Sequence, residues 1–245
     1  MTYKNLGIVI PVYNEGDNIL NTIEKINTDI KTPNEIHIIY DFDEDNTLPL
    51  LKKFIDDNNL KNIKLIKNYY GRGALNAIKT GMESFQEGAI LVMMADLSDE
   101  LSIVDKMFNK LNEGYDLVAA SRYSKGGKQI GGPFLKSFLS KISGISLHYL
   151  TGIPTKDPTN SFKLYTKKVL NSLQIESNGG FEIGLEIFVK AYLHGFKITE
   201  IPTIWQDRIA GKSNFKLWKW LPKYLKWYLF AVKGKLFGVK KNLKN

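Results

Sequence analysis

From Leu6 to Ser121 the chain alternates short apolar runs with amphipathic stretches, and that rhythm leaves few folds open. The runs Leu6–Val12, Glu35–Tyr40, Asn62–Lys67, Ala89–Ala95 and Asp116–Ser121 have the length and β-branched content of strands. The segments between them, at 17–28, 47–58, 73–86 and 100–112, have helical spacing. Ile19, Ile23, Ile26 and Ile30 make a buried stripe on the first, with Asp17 placed as its N-cap. Strands that alternate with helices predict an α/β fold, a mostly parallel central sheet flanked by helices. After Ser121 the rhythm loosens. Residues 124–132 read as a glycine and lysine loop, 134–151 and 181–194 as helices, and Ser161–Tyr165 and Lys197–Ile204 as strands.

A chain of 245 residues buries enough surface to fold without a staple, and it has no cysteine. Disulfide frameworks, thiolate zinc sites and cysteine nucleophiles are therefore out. No apolar run reaches the roughly 18 to 20 residues that cross a bilayer. Met1 to Asn5 leads straight into the first strand with no cleavage site, so no signal peptide is expected. A cytoplasmic location is the expectation.

The net charge of +9 is local. Residues 212–245 hold ten lysines and no acid, while the rest carries 24 basic against 25 acidic residues. A basic tail on a neutral body favours an anionic surface over nucleic acid, which would take a groove across the fold. The tail also holds Trp218, Trp220 and Trp227. On a helical wheel Lys219, Lys223, Lys226 and Lys233 fall opposite Leu221, Leu225, Tyr228, Leu229, Val232 and Leu236. That is the composition of a helix lying in a membrane interface, and peripheral membrane attachment through 212–245 is expected. The division is thus a domain over 1–211 and a helical tail over 212–245, with Pro222 marking a helix start or a kink.

In an open α/β sheet, ligands bind beyond the carboxyl ends of the strands. Those ends carry Tyr13-Asn14-Glu15, Asp41-Phe42-Asp43, Asp96 with Asp99 and Glu100, and Ser121-Arg122-Tyr123. A dinucleotide fold is poorly supported, because Pro11-Val12-Tyr13-Asn14-Glu15 stands where its glycine-rich turn would be. The same segment argues against a sugar-phosphate nucleotidyltransferase. Among 34 basic residues only three are arginine, Arg72, Arg122 and Arg208. Arginine's planar fork pairs two phosphate oxygens at once, which lysine cannot do.

From Ile8 to about Ser213 these segments together resemble the family 2 inverting glycosyltransferases of the GT-A fold, particularly the dolichol- or polyprenyl-phosphate mannosyl- and glucosyltransferases. The resemblance is carried by Pro11–Glu15, Asp41–Thr47, Tyr70–Leu75, Met94–Asp99, Ala120–Tyr123, Asp157–Lys163 and Asp207–Ser213. It implies that Pro11, Tyr13, Glu15 and Asp41 hold the base and ribose of a nucleotide-sugar donor, with Arg72 toward its diphosphate. Asp96 matches the second acid of the family's metal-binding Asp-x-Asp, which implies magnesium or manganese. Here the sequence departs from the pattern: Met94 replaces the first acid, and Ser98 stands where relatives often have glutamine. Asp99 offers a compensating carboxylate.

The resemblance also implies that Arg122, Arg208, Lys212 and Ser213 line the acceptor side. A lipid-phosphate acceptor is already largely dianionic and needs alignment and charge neutralisation rather than a base. A sugar or glycan hydroxyl would need a carboxylate base. Asp157 is the first choice, with Glu182 and Glu186 behind it; Asp157 could equally orient an arginine. A catalytically silent membrane-binding module on the same scaffold is the remaining alternative. His37, His148 and His194 read as structural.

Overall fold

The computed structural model describes residues 2–208 and 217–238. Strand β1 (Leu6–Pro11) is apolar on both faces and sits inside a seven-stranded sheet. It pairs in parallel with β2 (Asn34–Tyr40) on one side and β4 (Ala89–Val92) on the other. The order is β3-β2-β1-β4-β7-β5-β8, with β3 at Ile63–Lys67, β5 at Leu117–Ser121, β7 at Lys163–Thr166 and β8 at Ile198–Pro202. Only β7 runs antiparallel to its neighbours, so the mostly parallel sheet is borne out.

Helices cover both faces, because each buried strand has two apolar sides to hide. Leu6, Ile8 and Ile10 point to the side of α1 (Ile19–Asp29), α2 (Thr47–Asp57) and α4 (Val104–Asn112). Val9 points to the other side, with α3 (Ala74–Glu83), α6 (Lys167–Ser172) and α7 (Ile183–Leu193). Gly81 lets α3 lie directly on β1, since a Cβ there would collide with Val9. Helix α5 (Phe134–Thr151) approaches the chain at Lys156–Pro158 through Gly144, whose Cβ would strike the Lys156 carbonyl.

Two short elements were not legible. Lys128–Ile130, within the expected loop, forms β6, which pairs in parallel with β9 (Ile204–Gln206) as a separate ribbon. Three residues carry too little pattern to read. Helix α6 was likewise missed.

The tail helix α8 (Leu217–Phe237) is continuous through Pro222, which lies inside it rather than at its start. Besides the lysine and leucine sides of its wheel it has a third face, which the sequence did not separate. Trp227 and Ala231 are buried in the core beside α7, and Trp227 Nε1 donates to Ser177 Oγ at 3.0 Å. Tyr228 donates to Ser146 Oγ of α5 at 2.9 Å. Bulky aromatic rings have more apolar area to hide than leucine, and they take the inward face. Leu225, Leu229 and Leu236 stay exposed, together with Trp218.

Trp227→Ala should lower unfolding stability by about 3–5 kcal/mol, the range for truncating a buried aromatic. Leu229→Ser should change it by less than about 0.5 kcal/mol, as for other exposed positions. Urea denaturation of the two variants separates a tail built into the core from one attached to it.

Candidate active site

The strand order reverses between β1 and β4, the crevice where an open α/β sheet receives its ligand. The exits of β1 and β2 are tied together there. Asp45, fully buried, accepts from the Asn14 N–H at 3.0 Å and the Thr47 N–H at 2.9 Å, and the Glu15 N–H donates to Thr47 Oγ1 at 2.9 Å. Glu15 accepts from Asn18 Nδ2 through Oε2. Pro11 ends β1, and Tyr13 beyond it stands in solvent with its ring edge-on to Phe42 at 5.5 Å.

Asp41 organises the next loop. Its oxygens accept from Asn68 Nδ2 at 2.8 Å and from the Gly73 N–H at 2.9 Å. Gly71 and Gly73 take φ values of 89° and 127°, open to glycine but strained for other residues. The turn holds Arg72 over the Phe42 ring at 4.9 Å. Tyr13, Phe42 and Arg72 thus form one exposed aromatic and cationic wall. Phe42 was not singled out from the sequence, although it stood between two acids that were.

At the exit of β4, Leu97 adopts φ 56°, uncommon for a bulky residue and a frequent mark of functional loops. The turn lets Asp96 Oδ1 accept from the Ser98 N–H at 3.2 Å and hydroxyl at 2.6 Å. Asp96 Oδ2 pairs with Arg208 Nη2 at 2.8 Å. Lys136 of α5 belongs to the same cluster. Burial, and then the Arg122 and Arg208 guanidiniums, press its ammonium below the usual lysine range, while Asp207 and Asp96 pull it back. Lys136 was missed because α5 reads as an apolar helix; the signal was one lysine, one turn before Ser140, on the side away from Phe138 and Ile142.

Arg122 and Asp157 form the adjoining wall. Asp157, fully buried, accepts at Oδ2 from Arg122 Nε at 2.7 Å and the Arg122 N–H at 2.9 Å. At Oδ1 it accepts from Arg122 Nη2 at 2.9 Å and Thr159 Oγ1 at 3.3 Å. A carboxylate offers about four lone-pair sites, and four donors fill them. Asp157 is therefore placed to orient an arginine, and the expectation of a free general base is not met. Arg122 also reaches Gln129 Oε1 and Ser140 Oγ. Burial would lower its pKa, but the Asp157 charge outweighs that and holds it above the ordinary value.

Beneath the pair, Lys163 is fully buried and donates to the carbonyls of Pro158 and Asn160. Asp99 is buried nearby, and burial, then the Asp96 charge, pushes its carboxyl up to about 7. Glu186 accepts from the Glu176 and Ser177 N–H groups and from Lys190, and Glu182 from the Gly180 N–H. Glu186 is thereby spent on fastening the chain under α8. Lys212 and Ser213 lie outside the described residues.

Among the described residues no group of three or more histidines and acids could hold a metal. Asp96, at the exit of β4, is the carboxylate such an ion would use, and its Oδ2 pairs with Arg208. Magnesium commonly takes one or two carboxylates and completes its shell with waters and substrate phosphates. The residues present fit an ion that arrives with a diphosphate.

A family model described as glycosyl transferase family 2 matches residues 7–174. The chain is 29% identical over 219 residues to an uncharacterized glycosyltransferase of Synechocystis, covering 87% of this chain and 65% of that one. It is 26% identical over 233 residues to a dolichol-phosphate mannosyltransferase of Pyrococcus furiosus, covering 91% and 64%. The chain thus spans just under two thirds of the length of these relatives. Glucosyl-3-phosphoglycerate synthase of Mycobacterium tuberculosis, solved with Mn2+, UDP and glucosyl-3-phosphoglycerate, superposes with a TM-score of 0.67 at 14% identity, covering 98% of this chain and 82% of that one. That likeness bears out the GT-A type of fold.

Burial pushes the Lys163 ammonium down to about 7 from an ordinary 10.5. Between those values the unfolded chain binds a proton that the folded chain does not, so stability should rise with pH across that window. The slope from this one group reaches about 1.4 kcal/mol per pH unit. Urea unfolding of wild type and Lys163→Met from pH 7 to 10 should show the rise in wild type alone; parallel curves would contradict it.

Proposed function

The chain belongs to glycosyl transferase family 2, and we propose on that premise that it transfers a sugar from a nucleotide-sugar donor, with inversion, to a lipid-linked phosphate at a membrane surface. The saturation of Asp157 carries the choice of acceptor. A hydroxyl nucleophile needs a carboxylate with a free lone pair on the acceptor side, and Asp157, the first of the three candidates for that role, is filled by four donors. What lines that side is cationic: Arg122, Lys136 and Arg208. A phosphate dianion is its own nucleophile and is drawn to such a cluster. The dolichol-phosphate mannosyltransferase relative supports the same class of acceptor.

On the donor side, Tyr13 and Phe42 offer ring surfaces to a nucleobase, and Glu15 and Asp41 offer oxygens to base or ribose. Arg72 faces the diphosphate. Asp96 would hold a magnesium or manganese ion, which when bound neutralises charge on the leaving nucleoside diphosphate. Arg122, locked by Asp157, Gln129 and Ser140, presents a fixed positive wall, and such preorganised charge costs no rearrangement as the new bond forms. Asp157 acts through Arg122 as a positioning residue.

The membrane reading rests on two neighbouring helices. Phe134, Phe138, Ile142 and Tyr149 of α5 are exposed, as are Leu225, Leu229 and Leu236 of α8, and the helices touch through Tyr228 and Ser146. Exposed Lys219, Lys226 and Lys233 flank the leucine stripe. Each lysine near an anionic bilayer adds about 1 kcal/mol. Lys136 lies on the inward side of α5 while Phe138 and Ile142 face out, so one helix suits both the head and the tail of a lipid phosphate. No described helix is long and apolar enough to cross a membrane.

UDP-, GDP- and dTDP-sugars should be offered with polyprenyl phosphate in anionic vesicles, with and without magnesium. One donor should give transfer, and Asp96→Ala or Lys136→Met should each lower it by about 10²-fold, the usual cost of losing one aimed charge contact. Leu225→Ser with Leu229→Ser should weaken vesicle binding and leave nucleotide binding intact. Transfer to soluble sugar hydroxyls, with none to the lipid phosphate, would overturn the acceptor assignment.

A further inference from the structure

Asp96 has two oxygens and both are engaged. Oδ1 is closed by the hydroxyl and N–H of Ser98, two residues away on the turn that Leu97 strains to make. That contact is local and comes with the loop. Oδ2 is held by Arg208, 112 positions along the chain, through a single 2.8 Å contact from Nη2. The carboxylate is nearly buried, so the pair interacts with little solvent screening. Met94, at the position of the family pattern's first acid, offers only a thioether. A divalent ion that uses Asp96 approaches Oδ2, where it sits beside the Arg208 guanidinium and competes with it for the same negative charge.

We propose that Arg208 is a placeholder cation, neutralising Asp96 while the donor site is empty and giving up Oδ2 when a nucleoside diphosphate and a divalent ion arrive together. The inference rests on reading Asp96 as the donor's metal ligand. An ion alone gains little by the exchange. It would trade one cation for another on a single oxygen, beside Lys136 and Arg122, whose positive charges already repel Arg208's replacement. An ion bearing a diphosphate brings the negative charge that the freed guanidinium then pairs with. Arg208 thereby couples the two halves of the site: its charge is balanced by Asp96 until the donor is in place, and by phosphate afterwards. Donor binding should precede productive acceptor binding.

Direct Mn2+ titration of the full chain, followed by the electron paramagnetic resonance signal of free Mn2+, tests this without turnover. In the absence of nucleotide, Arg208→Ala should bind Mn2+ about ten-fold more tightly than wild type, the effect of removing one charge-assisted contact that the ion has to displace. Arg208→Gln, which keeps the side-chain bulk, should do the same. Saturating UDP or GDP, whichever binds, should erase the advantage, and adding Asp96→Asn to Arg208→Ala should abolish the gain. Unchanged Mn2+ affinity in both Arg208 variants, with Asp96→Asn still weakening the Mn2+–nucleotide complex, overturns the placeholder role and leaves the donor reading standing. If Asp96→Asn has no effect on that complex, the donor reading itself fails, and the proposal with it.

Discussion

Four donors converge on the carboxylate of Asp157 and three on that of Asp96, and this crowding of oxygens governs what the mouth of the sheet can do. A buried carboxylate is stable only when its lone pairs are answered. At Asp157 the answer is Arg122 and Thr159, and the result is a guanidinium held rigidly in one orientation. At Asp96 part of the answer comes from Arg208, a residue on the far side of the fold's sequence, and one exchangeable contact is the result. Burial pushes the neighbouring Asp99 carboxyl up to about 7 and the Lys163 ammonium beneath it down to about 7.

The sheet was legible because buried parallel strands need apolar residues on both faces, and β1, β2, β4 and β5 declare themselves that way. The site was legible as far as it sits on strand exits: Tyr13, Glu15, Asp41, Asp96 and Arg122 lie beyond the ends expected for them. The scarcity of arginine pointed to Arg72, Arg122 and Arg208 for a physical reason, since a chain that otherwise uses lysine keeps arginine where fork geometry matters. Pairing was not legible. Nothing in the sequence says that Asp157 and Arg122, 35 residues apart, would satisfy each other, or that Arg208 would close on Asp96. Lys136 was hidden in a helix whose pattern is dominated by outward apolar residues, and β6 and β9 are too short to have a period.

The tail has the lysine and leucine faces its wheel predicts, and a third, aromatic face that the wheel did not separate from them. Lysine, leucine and tryptophan are all there, but the core takes the aromatic face, through Trp227 and Ala231, and leaves leucine outside. Helix α8 therefore has two apolar faces with different fates, one holding the fold together and one free to meet a lipid surface. Removing the helix would destroy both at once. Its contact with α5 brings together two helices that each carry an exposed apolar stripe, and α5 also carries Lys136 on its other side. Fold, surface and site meet in that one helix pair.

The most direct test of the whole account is a crystal structure with Mn2+ and the nucleoside diphosphate that binds, read by the anomalous signal of the ion. The account predicts the manganese peak at about 2.0–2.2 Å from Asp96 Oδ2, the usual distance for a carboxylate ligand to such an ion. The base should lie along Tyr13 and Phe42, and the Arg208 fork should have left Asp96. A diphosphate seated elsewhere, with Arg208 still paired to Asp96, would contradict it.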